Sequence, residues 1–289
     1  MDRSRRGSGD RLLPATRALL VLFAALTLLA VAVLLVRAEE TATTFAWTIE
    51  PPATAGFMGA GYASGTVLVV LSLAGRSWTR TRVPLVTILA FTALTLVATV
   101  VHLDKFHLRA ADPLPRLAAW FWLAVYVIVP VGLAVVLILQ RRVSPVRRSA
   151  LRAAVPMWLK ALLLVEGAVL LVVGTAIYLA PTTAEVLWPW TLTPLTARSV
   201  GAWLVAYGVA AGMLVRADDL ALLRTPAVAY TVFGTLQLVV LGRFAPDVSW
   251  DAPSALVVMG MATAVAATGI AAFVTADARV PFTRGALRS

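Results

Sequence analysis

Trp158-Leu159-Lys160-Ala161-Leu162-Leu163-Leu164-Val165-Glu166-Gly167-Ala168-Val169-Leu170-Leu171-Val172-Val173-Gly174-Thr175-Ala176-Ile177-Tyr178-Leu179-Ala180 contains one base and one acid. Crossing the hydrocarbon core of a bilayer takes about 20 mostly apolar residues of helix. This run is long enough. Seven more runs of the same kind flank it, at 18–36, 57–75, 83–101, 117–139, 198–215, 225–242 and 255–275. The 289-residue chain is 60% hydrophobic, with mean hydropathy +0.88. Charged residues make up 13%, against about 25% in soluble domains. A soluble enzyme, a disordered chain and a nucleic-acid binder are excluded. The expected fold is all-α and integral to the membrane, with eight spans.

The charges orient the spans. The net charge is +11, from 25 Lys+Arg and 14 Asp+Glu. In a membrane protein such an excess marks cytoplasmic loops. With the N-terminus inside, eighteen basic residues fall on inner segments and six on outer ones, Arg37, Lys105, Arg109, Arg116, Arg198 and Arg243. Lys160 sits at an inner helix end. Eight of the 14 acids lie in outer loops. The first run spans about 19 residues, longer than the ~7–15 of a cleaved leader's apolar region, so it reads as a span. The expected organisation is a basic cytoplasmic tail (1–17), a four-helix unit (18–139), a basic cytoplasmic linker (140–157), a second four-helix unit (158–275) and a cytoplasmic tail (276–289). The linker's Arg141, Arg142, Arg147 and Arg148 suit anionic lipid headgroups, although a topology signal is their ordinary role.

The two units share an order of features. Trp47-Thr48-Ile49-Glu50-Pro51 precedes the second span, and Trp190-Thr191-Leu192-Thr193-Pro194 precedes the sixth. Each of these spans carries a close glycine pair, Gly61 with Gly65 and Gly208 with Gly212. A basic-aromatic pair then follows the next span, Lys105-Phe106 or Arg243-Phe244. Four spans return the chain to its starting side, so the units are expected to be parallel repeats with a pocket, if any, between them. Trp47, Trp188 and Trp190 are expected in an interfacial aromatic belt, with Thr193 capping a helix that Pro194 begins.

The segment Trp188-Pro189-Trp190-Thr191-Leu192-Thr193-Pro194-Leu195-Thr196-Ala197-Arg198 resembles one found in multipass membrane proteins common in actinobacteria. The resemblance implies a bacterial plasma membrane. It implies no activity, and Phe45-Ala46-Trp47 departs from the pattern in the first unit.

Glu166 is the one acid inside a span. An ionised side chain there costs about 3 kcal/mol on insertion scales. It needs a partner from another helix, and counting depth points to Tyr207 and Thr231. Its two readings are a packing hydrogen bond and the coupling group of a small-molecule or ion transporter. His102, Asp104 and His107 form an outer polar cluster able in principle to serve a membrane enzyme. Their spacing matches no ligand signature, and Lys105 opposes a cation. Cysteine is absent. Nothing resembles a Walker loop, a nucleophile elbow or a zinc-binding His-Glu motif. The sequence therefore reads as a non-enzymatic polytopic membrane protein with no metal and no cofactor, whose partner is the lipid bilayer. Topology reporters fused after Arg147 and after Glu185 should give opposite signals; matching signals would overturn the eight-span order.

Overall fold

The computed structural model describes residues 10–143 and 153–279. Among these residues it has eight helices long and apolar enough to cross a membrane. They are α1 (Pro14–Val31, continued by a wider turn at Ala32–Val36), α2 (Pro52–Gly75), α3 (Trp78–Val101), α4 (Pro113–Val143), α5 (Met157–Leu179), α6 (Pro194–Ala217), α7 (Arg224–Arg243) and α8 (Pro253–Arg279). No strand occurs among the described residues, only one isolated bridge between Arg11 and Ser77. Several helices begin a few residues before the apolar runs do. Their first turns are set by proline and by capping side chains, which hydropathy does not register. Thr193 Oγ1 accepts from the Thr196 amide at 3.3 Å ahead of Pro194. Ser77 Oγ accepts from the Arg80 amide at 3.4 Å.

Even numbering puts the described chain ends on one side, here the basic end, with Arg76, Arg141 and Arg216. The other side, the aromatic end, holds the longer connections around Trp47 and Trp190. Helices α2, α3, α6 and α7 form the centre. Of the α2 span 56% is buried, against 17% of α1. Within each half the pairs are α1 with α2, α3 with α4, α5 with α6 and α7 with α8. Between the halves α2 packs on α7, and α3 on α6.

Local bonds recur in the two halves. The Trp78 amide donates to Asp10 O, and the Leu220 amide to Ala153 O. The His107 amide donates to Ala46 O, and the Ser249 amide to Pro189 O. The first-half partners stand 143 or 142 residues before their second-half counterparts. α2 and α6 both end on a left-handed residue, Arg76 at φ 48° and Asp218 at φ 50°. Each returns its amide to the helix, to Ser72 O and Leu214 O, which satisfies a last-turn carbonyl.

Small residues decide how closely the helices approach. Along α5 and α6, Gly174 faces Gly201 and Gly167 faces Gly208. A Cβ added at Gly201 would stand 2.7 Å from Gly174 O, and one at Gly208 2.8 Å from Gly167 O. The expected pairs are therefore used only in part. Gly61 lies against the Trp203 ring, but a Cβ at Gly65 would find its nearest neighbour at 3.9 Å. Gly212 has nothing within 4 Å. The seam repeats every two turns because antiparallel helices meet along one stripe, and the second glycine of each four-residue pair rotates off it.

The expected aromatic belt is also corrected. Trp47, Trp188 and Trp190 are 2%, 5% and 4% exposed, so they face protein rather than lipid. Trp47 lies edge-on to Trp122 at 4.9 Å, and Trp190 Nε1 donates to Thr54 Oγ1 at 2.9 Å. The connections fold back over the bundle and bury these rings as a plug. Gly201→Val should lower stability in detergent by about 1–3 kcal/mol through overpacking, while Gly212→Val should stay within about 0.5 kcal/mol of the native chain. Equal thermal shifts in a melting experiment would contradict the close α5–α6 seam.

Candidate functional site

A chamber of about 620 Å³ lies among α1–α4. Trp203 and Tyr207 of α6 complete its inner wall. The sequence points to a pocket between the halves. A small space of about 50 Å³ does lie there, lined by Val83 and Thr87 on one side and by Leu163, Tyr230 and Thr268 on the other. The 620 Å³ chamber, in contrast, lies inside the first half, and the second half supplies only that wall. The chamber exists because α1 and α4 hardly touch above one pin. At the basic end the fully buried Gln140 of α4 holds α1. Its Oε1 accepts from the Leu13 amide at 2.9 Å and Thr16 Oγ1 at 2.8 Å, and its Nε2 donates to Arg11 O at 3.1 Å. Toward the aromatic end the gap is lined by Leu29 and Leu117, which are 52% and 65% exposed. Both residues line the chamber and are exposed, so the chamber is open at its side between α1 and α4.

Its polar groups are few. Thr27 Oγ1 donates to Phe23 O at 2.8 Å, and Thr66 Oγ1 to Thr27 Oγ1 at 2.8 Å. Ser64 Oγ donates out of the chamber to Ala229 O at 2.7 Å. Tyr62 and Tyr126 hydrogen-bond to each other through their hydroxyls. Arg37, the one charged residue of the lining, pairs with Glu40.

The second half has a polar knot where the first has this space. Glu166 of α5 is buried. Its Oε1 accepts from Thr268 Oγ1 of α8 at 2.7 Å, and its Oε2 from Tyr230 Oη of α7 at 3.0 Å. At the recurring spacing, the first-half positions of Glu166, Tyr230 and Thr268 are Phe23, Ile88 and Tyr126, and all three line the chamber. The partners expected for Glu166 were Tyr207 and Thr231, and the structure replaces both. Thr231 is one residue off, and one residue turns a helical side chain by about 100°. Its Oγ1 bonds to Ala227 O at 2.9 Å, on the side that meets Gly269. Tyr207 faces the chamber, its ring 6.2 Å from that of Tyr230. Depth found the right level on α7 but not the right face. Thr268 was passed over, though it is a hydroxyl at the matching level of an adjacent span.

The outer cluster is pulled three ways. His102 Nε2 meets Arg198 Nη1 at 2.7 Å. A guanidinium only donates, so His102 Nε2 is the acceptor; burial, and then the Arg198 charge, hold this imidazole below its ordinary value. Asp104 is exposed and pairs with Lys105 at 3.1 Å, and that hydrogen bond keeps its carboxyl below the usual range. His107 Nδ1 is 3.1 Å from Phe45 O and Nε2 3.2 Å from Thr48 Oγ1, which ties down the Trp47 connection. Among the described residues no three His, Asp or Glu side chains are grouped to hold a metal. Arg243 does more than anchor at the interface. It caps the end of α1 by donating to Leu35 O at 2.7 Å and Val36 O at 3.2 Å. Arg141 and Arg142 are exposed in the last turn of α4; Arg147 and Arg148 lie outside the described residues.

Removing the Glu166 carboxyl strands the Tyr230 hydroxyl, because Thr268 can turn back to its own helix and Tyr230 cannot. Glu166→Leu should therefore cost about 1–3 kcal/mol of stability. Glu166→Gln should be mild, since an amide still accepts and donates. Adding Tyr230→Phe to Glu166→Leu should recover much of the loss. Thermal melting in detergent reads all three, and no recovery in the double variant would reject the packing role.

Comparison with protein-family models, with curated proteins and with solved structures finds no match to this chain.

Proposed function

We propose that this chain is a non-enzymatic, multipass plasma-membrane protein of a bacterium that takes a lipid-soluble molecule from the bilayer into its first-half chamber. The single observation that carries the reading is the 620 Å³ apolar space open between α1 and α4. Its volume falls within the ~300–1,000 Å³ of ordinary small-molecule sites. It lies at membrane depth, where the surrounding medium supplies hydrocarbon rather than water.

The finer architecture belongs to the same proposal. The chain is two parallel four-helix repeats, related by an axis along the membrane normal, with both termini and the 140–157 linker in the cytoplasm. Support comes from the recurring backbone bonds and from the reciprocal pairing of α2 with α7 and α3 with α6. The arginine-weighted inner segments support the orientation. Duplication followed by divergence then explains why one half keeps a space and the other a knot. A transporter coupled through Glu166 draws less support, because both carboxyl oxygens are taken by hydroxyls of neighbouring helices and Glu166 does not line the chamber. A membrane enzyme using His102, Asp104 and His107 draws less still, since those side chains bond apart.

Ala118 lines the chamber at the gap, while Ile128 of the same helix is 68% exposed and lies outside the lining. Native mass spectrometry of the protein from mild detergent should show one retained lipid-soluble molecule per chain. Ala118→Trp should lose it, and Ile128→Trp should keep it. Equal retention in both variants would overturn the proposal.

A further inference from the structure

The chamber holds two phenol hydroxyls that share one hydrogen bond. Each hydroxyl is one donor and can accept twice. When one donates to the other, the second proton of the pair is left over. Among the described residues no acceptor takes it. Tyr62 and Tyr126 are 6% and 4% exposed, so bulk water does not serve them. An unmatched donor in an apolar site is costly, and an acceptor from the chamber's occupant removes that cost.

We propose that the occupant brings an uncharged carbonyl oxygen to the Tyr62–Tyr126 pair and leaves its hydrocarbon in the gap between α1 and α4. This rests on the chamber reading above and names the chemistry of the ligand. A carbonyl accepts without donating, which suits a site with a donor to spare. A free carboxylate or phosphate does not fit, because the lining's one cation, Arg37, is engaged by Glu40. The tail direction follows from the pin. Gln140 closes the basic end, while Leu29 and Leu117 open the side toward lipid. Flat rings line the site near the pair, with Phe91 stacked on Trp203 at 3.8 Å and Trp122 on Tyr126 at 4.2 Å. Two bilayer sources share this chemistry, a prenylated quinone and a glycerolipid ester.

The pair gives a distinctive mutational pattern. In Tyr62→Phe the hydroxyl of Tyr126 becomes free to donate, and the reverse holds in Tyr126→Phe. Each single variant therefore keeps one donor, and only the double variant loses both. Replacing both partners by rings of the same shape is close to neutral for folding. The probes are a decyl-substituted benzoquinone, dioctanoylglycerol and 1-bromododecane, which lacks a carbonyl. Each is titrated onto the full chain in mild detergent and counted by native mass spectrometry.

At least one carbonyl probe should bind the native chain and both single variants within about threefold of one another. The double variant should bind it roughly tenfold more weakly, the equivalent of one hydrogen bond. 1-Bromododecane should bind all four proteins alike. Tighter binding of the quinone or of the ester supports the proposal and identifies the source. A double variant that binds the carbonyl probes as the native chain does overturns it, as does 1-bromododecane binding as tightly as they do; in both cases the apolar chamber stands. If no probe binds, the chamber reading itself falls.

Discussion

A polar group at membrane depth has no water to turn to, so it must find its partner within the protein. The backbone meets this demand by forming helices. The side chains meet it by tying helices together, and those ties shape the bundle. Gln140 holds α4 to the start of α1. Gln237 of α7 donates to Phe57 O of α2 at 3.2 Å, and Tyr178 of α5 donates to Leu94 O of α3 at 2.8 Å. Arg243 closes the end of α1 from the other half. Apolar contact alone does little here, because lipid tails are as apolar as leucine. Close glycine seams and these few hydrogen bonds therefore choose which helices touch.

The same demand separates the two halves. In the second half a carboxyl between two hydroxyls draws α5, α7 and α8 together. In the first half the corresponding helices lack that centre. Phe23 accepts no hydrogen bond from α3 or α4 through its side chain, and among the described residues the hydrogen bonds that tie α4 to the start of α1 are those of Gln140 at the basic end. The space left between them follows directly. It stays open because the pin is at one end and the Trp47 plug braces the other, where Trp47 packs on Phe45, Phe106 and Trp122.

Most of the fold was legible in the sequence, since span length and hydropathy are properties of single segments. All eight spans stand where the apolar runs are, and the Thr193-Pro194 helix start follows from local capping chemistry. What failed depended on rotation about helix axes. A glycine pair four residues apart signals that close approach is possible, not which stripe is used, so Gly212 was misjudged and the Gly174–Gly201 contact was not seen. The partner of Glu166 failed for the same reason, by one residue on α7. The tryptophans were misplaced because composition tells a loop ring from a belt ring only through its tertiary contacts. The chamber left no local mark at all. It comes from sparse contact between α1 and α4 beyond the Gln140 pin, and sparse contact has no residue pattern.

These limits bear on how function can arise in such a chain. Lipid-facing residues on α1 and α4 need only be apolar. The chamber wall nevertheless carries donors to spare, the buried indole Nε1 of Trp203 and the tyrosine pair, where two donors meet one engaged acceptor. A protein selected only for packing could remove this mismatch with two phenylalanines, which would fill the same volume and leave no surplus proton. Keeping both hydroxyls beside a chamber is consistent with a group that arrives from outside the chain. Glu166 carries the opposite logic, because each of its oxygens already has a hydroxyl and nothing further is required of it. Within one bundle, the satisfied carboxyl belongs to the framework, and the unsatisfied phenol pair marks the place where chemistry remains to be supplied.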